Sequence, residues 1–301
     1  MILSIGEILF DIFPGYRRLG GAPFNFAFHL KQLGLPVSFV SRIGADENGL
    51  RLLKELQQMN FDTSRIQIDK RHPTGEVRVS FDAAGEPVFN IVKNTAYDYI
   101  NFEHPEDVIK SDAIDLFYFG SLVQRSQYGF TTIQKMLTAM QPDIHCLYDV
   151  NLRPACYNRD IVIESMKKAH LLKINEAELQ TVKQMLGQSQ KNDTAFIEQL
   201  INQYHIEMLA LTKGAAGSAI YTPDRHVEQK APQGQKEANP VGAGDAYAAI
   251  LAIGYLQKWP VEKIISTATE FSARICEIDS AFSTDPSFYD TWRSSIAGEA
   301  H

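Results

Sequence analysis

A chain of 301 residues, 45% hydrophobic and 22% charged, is long enough to bury a sizeable core as one large α/β domain or two smaller ones. Its net charge of −7, from 29 Lys and Arg against 36 Asp and Glu, argues against nucleic-acid and anionic-membrane partners, which need concentrated basic surface. A local basic pocket for phosphates stays open. Three cysteines, Cys146, Cys156 and Cys276, form neither a metal-type cluster nor an even-numbered framework, and read as the reduced thiols of an intracellular protein.

In chain order, residues 1–10 (MILSIGEILF) read as a buried strand. The segment is interrupted by Glu7 and lacks the basic start and small-residue cleavage site of a signal peptide. Residues 23–33 have helical spacing and stop at Gly34, residues 37–41 form a strand, and Asp46 opens a helix through Met59. Residues 74–92 break this rhythm, alternating apolar and polar around Ala83-Ala84-Gly85 as a half-exposed hairpin. Such an appendage serves as a lid over a cleft, as a dimer surface or as a plain edge hairpin. Residues 114–120, 144–150, 170–174 and 207–212 are short apolar runs separated by helical segments, the pattern of buried parallel strands. The predicted fold is α/β, a doubly wound and mainly parallel sheet, in a single domain over 1–301. No apolar stretch reaches bilayer length, so a cytoplasmic protein is expected.

Four stretches carry candidate chemistry. In Gly242-Ala243-Gly244-Asp245, small residues at a predicted helix start let an anion approach unpaired backbone N–H groups. A carboxylate beside an anion pocket repels a ligand that is merely bound, but a phosphoryl-transfer site uses it to orient and deprotonate an acceptor hydroxyl. Ordinary dipole compensation is the competing explanation for Asp245. Gly20-Gly21-Ala22-Pro23-Phe24-Asn25, after Asp11, mixes close backbone approach with donors and acceptors, as polyhydroxylated ligands require. It also fits a plain βα turn. Asn175 and Glu178 match a helix capping box; at the carboxyl end of a strand they could also hold water around a phosphate-bound magnesium. Thr212 to Gly217 either contacts nucleotide phosphates or turns the chain into the next strand. The P-loop, dinucleotide and protein-kinase signatures are missing. Three of the four stretches end predicted strands, where open α/β sheets bind ligands.

Together these stretches resemble the ribokinase-like (PfkB) family of sugar kinases over nearly the whole chain. Gly44-Ala45-Asp46-Glu47-Asn48-Gly49, Thr74-Gly75, Gly85-Glu86-Pro87 with Phe89, and Asp149-Val150-Asn151-Leu152-Arg153-Pro154 complete the set in the family's order. The Gly-Gly-Ala-Pro and Asn-Leu-Arg-Pro forms are most similar to the fructokinase branch. The resemblance implies a Rossmann-like core with a small β-sheet lid, built from the 74–92 hairpin and the segment near 11–19, that often dimerises. It implies transfer of the γ-phosphoryl group of ATP, with Mg²⁺, to a sugar hydroxymethyl. Fructose is the expected sugar, with 2-keto-3-deoxygluconate, ribose or a nucleoside as alternatives, and a non-catalytic binding member as the alternative class. Carried over, Asp245 is the base and Gly242, Ala243 and Gly244 the anion hole. Asp11, Gly20, Gly21, Asn25 and Arg153 contact the sugar. Asn175, Thr212, Gly214 and Gly217 line the nucleotide site, with Glu178 on the magnesium side. One departure stands out: Asn239-Pro240-Val241 replaces the family's Asp-Thr-Thr or close variants, removing a charge that helps hold a monovalent cation such as K⁺. Asp279-Ser280-Ala281-Phe282 matches the family's small-residue loop only loosely.

Overall fold

The computed structural model describes residues 1–81, 87–102, 104, 108–109, 113–232 and 239–297. The Ala83-Ala84-Gly85 turn and Glu86 lie outside the described residues. Nine strands form one sheet in the order β13-β12-β11-β10-β9-β8-β1-β4-β5. These are β1 (Ile2–Ile5), β4 (Val37–Gly44), β5 (Ile66–Asp69), β8 (Leu116–Gly120), β9 (His145–Asp149), β10 (Leu171–Asn175), β11 (Met208–Thr212), β12 (Ser218–Tyr221) and β13 (His226–Gln229). Pairing is parallel from β5 through β11, and antiparallel only where β12 and β13 fold back on β11. A second sheet, ordered β3-β2-β6-β7, contains β2 (Leu9–Phe13), β3 (Tyr16–Gly20), β6 (Gly75–Phe81) and β7 (Pro87–Ile91). The segment near 11–19 and the 74–92 hairpin therefore share one small sheet.

The helices are α1 (Ala22–Gln32), α2 (Glu47–Gln58), α3 (Gln127–Ala139), α4 (Arg159–Met166), α5 (Glu176–Met185), α6 (Asp193–Tyr204), α7 (Ala243–Leu256), α8 (Val261–Ile275) and α9 (Asp290–Ala297). They cover both faces of the large sheet. Alternate residues of β8 show why its sequence is apolar throughout. Leu116 and Tyr118 pack with the α1, α7 and α8 side chains, whereas Phe117 and Phe119 pack with those of α3 to α6. A strand buried on both faces reads as a continuous apolar run.

The first expected strand is two strands. The chain leaves the large sheet after Ile5 and enters the small one at Leu9, with Glu7 buried in the crossing. Gly6 makes the exit possible, because a Cβ there would stand 2.5 Å from the Pro23 ring. Strands β5 and β13 carried no apolar run: both are four-residue strands at sheet edges that mix apolar with polar residues, Ile66-Gln67-Ile68-Asp69 and His226-Val227-Glu228-Gln229. The 44–49 motif anchors the entry to the small sheet. Asp46 caps α2 through the Gly49 N–H and also accepts the Thr74 N–H at 2.8 Å and hydroxyl at 2.6 Å.

Candidate active site

Helix α7 starts where the sequence places its small residues. Gly242 has φ +82°, a left-handed conformation that favours glycine, and no side chain caps the helix. A Cβ on Gly242 would lie 2.4 Å from Ala281 Cα, so this start is pressed against the 279–282 segment. Asp245 sits in the first turn, 9% exposed. Its Oδ2 accepts a 2.7 Å hydrogen bond from Asn25 Nδ2 of α1, joining residues 220 apart in sequence. Burial, reinforced by the Asp149 charge, pushes the Asp245 carboxyl up to about 6, against the pull of Lys173, Asn25 and Arg153. Just upstream, Asn239 Oδ1 accepts the Val241 N–H at 3.1 Å and the Ala243 N–H reaches Pro240 O at 3.3 Å. The Asn239 amide is thus engaged in the turn that feeds the helix.

The segment from Asp11 to Asn25 forms a neighbouring wall. A Cβ on Gly20 would stand 3.2 Å from Asp11 Oδ2, and one on Gly21 (φ +114°) would stand 2.4 Å from the Glu7 carbonyl oxygen. At Gly21 only glycine allows backbone this close, whereas at Gly20 the Asp11 carboxylate would have to shift by a few tenths of an ångström. Asp11 is raised to about 6 by burial, offset by the charges of Arg153 and Arg18. Exposed Arg153, in the loop after β9, acts electrostatically on Glu7, Asp11, Glu178 and Asp245 together. That reach puts its charge near both the wall and the α7 start.

Asn175 and Thr212 are register partners at the ends of β10 and β11. Asn175 Oδ1 caps α5 by accepting the Glu178 N–H at 2.9 Å, and Glu178 Oε2 in turn accepts the Asn175 N–H at 2.9 Å. Glu178 Oε1 accepts the Leu152 N–H at 3.1 Å, which ties the cap to the Asn151-Leu152-Arg153 loop. Each Glu178 oxygen already takes a backbone donor and keeps one acceptor site. The free site on each oxygen fits a magnesium ion or one of its bound waters. Gly214 (φ +54°) and Gly217 (φ +103°) turn the chain into antiparallel β12. A Cβ on Gly217 would stand 2.0 Å from Gln229 O, so its close approach is to the β13 backbone.

Three buried groups escaped sequence reasoning. Lys173 interrupts apolar β10 and pairs with Asp149, Nζ lying 3.0 and 3.2 Å from the carboxylate oxygens. Tyr118 Oη donates to Asp149 Oδ2 at 3.0 Å. Glu7, 3% exposed with Oε2 unpartnered among the described residues, is raised to about 7 by burial. For Lys173 and Glu7 the available signal was a lone charge inside an apolar run; Tyr118, one aromatic among several in β8, gave none. Among the described residues, one further cluster has metal-ligating groups: His145, His170 and Glu207, at the amino ends of β9, β10 and β11. It is closed by hydrogen bonds. His170 Nδ1 accepts the Cys146 N–H at 3.0 Å, leaving the proton on Nε2, and Tyr255 Oη joins His145 to Glu207.

Residues 16–285 match the profile of the pfkB family carbohydrate kinases. The chain belongs to this family. Among pfkB relatives, the fructokinase of Salmonella typhimurium is 26% identical over 257 residues, spanning 81% of each chain. The crystal structure of an uncharacterised sugar kinase from Pyrococcus horikoshii superimposes with a TM-score of 0.80 at 25% identity, covering 99% of this chain and 98% of that one. That kinase has also been solved in complex with ATP. A fructokinase double mutant from Vibrio cholerae, bound to fructose, ADP and potassium ion, shares the pfkB fold at TM-score 0.76 and 20% identity over 96% of both chains. Among the described residues, no helix of this pfkB kinase is long and apolar enough to cross a membrane.

Proposed function

We propose that this pfkB kinase is an ATP-dependent fructokinase, transferring the γ-phosphoryl group to a sugar hydroxymethyl. One observation carries the reading: Asp245 is buried in the first turn of a helix with a bare glycine start, and Asn25 orients it. At neutral pH a carboxyl titrating near 6 is ionised and basic enough to take a hydroxyl proton. Asn25 engages Oδ2, leaving Oδ1 to accept the proton as the sugar oxygen attacks phosphorus in line. The Gly242, Ala243 and Gly244 N–H groups take up the charge that spreads over the transferred group, that of Ala243 by exchanging its 3.3 Å bond to Pro240 O. Asp11, Gly20, Gly21, Asn25 and Arg153 hold the sugar; Asn175, Thr212, Gly214 and Gly217 line the nucleotide. Magnesium on the ATP phosphates would supply charge neutralisation when bound, and Glu178 with Asn175 would hold it or its waters.

The Salmonella fructokinase relative supports fructose as the acceptor. A specific observation favours a second sugar class, the keto-deoxy acids exemplified by 2-keto-3-deoxygluconate. Among the described residues Arg153 has no ion-pair partner, which suits a guanidinium that clamps a substrate carboxylate. Asn239 in place of the family's acid supports turnover with little dependence on K⁺. Exposed Tyr16, Val88 and Phe89 on the small sheet support a homodimer formed through it. Phosphorylation of a sugar panel with labelled ATP tests the assignment. Fructose is expected to give the highest kcat/KM; preference for an acidic sugar replaces fructose with the second class. Tight binding of ATP and sugars without turnover would establish a non-catalytic member.

A further inference from the structure

Lys173 is an expensive residue to keep where it is. It is 5% exposed, on a central strand, and its ammonium lies against an Asp149 carboxylate that is fully buried. Taking both charges out of water costs more than their attraction reliably returns, and apolar replacements of such pairs are often no less stable. Stability alone therefore does not account for the pair. Gly244 poses a parallel question, since glycine inside a helix is less stable than alanine. The two questions share one answer in the geometry. A Cβ on Gly244 would stand 2.8 Å from Lys173 Nζ and 3.4 Å from Cε. The ammonium is pinned by Asp149, itself held by Tyr118 Oη at 3.0 Å, so it has little freedom to retreat.

We infer that Lys173 is a positioning residue for phosphoryl transfer: its ammonium, fixed by Asp149 behind Gly244, sets the position and potential of the first turn of α7. The inference rests on the kinase reading of that turn. Three carboxylates act on the ammonium: Asp149 on β9, Glu178 on α5 and Asp245 on α7. Tyr118 on β8 holds Asp149, exposed Arg153 acts on Glu178 and Asp245, and Lys173 is the buried cation the three carboxylates share. Without it, the α7 start would meet a phosphoryl group with acidic charge behind its N–H groups. Charge placed before the reaction, needing no reorganisation, is the most effective kind in a transition state. Gly244 then does two things: it exposes backbone on one side and leaves room for the ammonium on the other.

The test uses Lys173→Met, the charge-free pair Lys173→Met/Asp149→Asn, Gly244→Ala and Gly244→Ala in the Lys173→Met background. Readouts are kcat, KM for sugar and ATP, and calorimetric affinity for ADP with aluminium fluoride against ADP alone, both with sugar present. Both Lys173 variants should lose about 100-fold in kcat while KM changes by less than about threefold. Affinity for the aluminium fluoride complex should fall in step with kcat, and that for ADP alone should not. Gly244→Ala should cost at least about tenfold in the wild type and at least about threefold less than that in the Lys173→Met background, because the displaced ammonium is already gone. If Lys173→Met unfolds around an unpaired Asp149, the charge-free pair decides. A folded double variant with kcat within about threefold of wild type overturns the inference, as does a raised KM at unchanged kcat. Wild-type enzyme that transfers no phosphoryl group to any sugar overturns the kinase reading and this inference with it. An active wild type with an equally active double variant overturns this inference alone.

Discussion

Glu7 shows how much buried acidity this site tolerates. Its carboxyl, raised from 4.5 to about 7 chiefly by burial, favours the protonated form in the folded chain. Native stability is therefore undiminished below pH 4.5 and declines as pH climbs from there through 7, where the native acid is forced to ionise. A neutral isostere escapes that cost. Glu7→Gln should be more stable than wild type by about 3 kcal/mol at pH 8, with the advantage fading toward pH 4.5, in denaturant unfolding at both values. Equal stability at pH 8 would mean that Glu7 is not paying for its burial. The sequence pointed to Asp245, Asn25 and Asp11 because motif and position coincide there. It did not point to Glu7, Lys173 or Asp149 as a group, because a lone charge in an apolar run does not say which distant charge it meets.

At the level of elements, the start of α7 depends on backbone that no side chain may occupy. Gly242→Ala combines an unfavourable φ of +82° with a Cβ 2.4 Å from the Ala281 main chain. The variant should lose roughly 1–2 kcal/mol of stability. It should also lose on the order of 100-fold in kcat as the first-turn N–H groups move. Near-normal kcat in a destabilised variant would make Gly242 a packing residue only. Helix starts were the most legible elements: Asp46 and Asn175 cap α2 and α5 as their spacing predicts. The capping-box explanation of Asn175 and Glu178 is structurally correct, and any magnesium role builds on that cap. Edge strands β5 and β13 were illegible, because each is only four residues long and mixes polar with apolar side chains, leaving no apolar run.

For the whole molecule, the decisive event is the crossing at Gly6 to Ile8, where one apolar segment feeds two sheets. Periodicity registers a continuous run there; only tertiary pairing shows that Ile2–Ile5 and Leu9–Phe13 belong to different layers. Asp11 rides on the small sheet and Asp245 on the large one's helix layer, so movement of the first against the second would open or close the site. Closure over sugar predicts slower amide exchange in Leu9–Phe13 and Gly75–Phe81 at saturating fructose. Unchanged exchange with sugar bound would count against closure. The account as a whole turns on Asp245, and the pH dependence of kcat/KM for wild type and Asp245→Asn tests it most directly. Wild type should lose activity below about pH 6, where the Asp245 carboxyl takes up its proton. Asp245→Asn should lack that limb, keep sugar and ATP binding, and turn over on the order of 10³-fold more slowly. An Asp245→Asn enzyme with near-normal kcat would contradict the account.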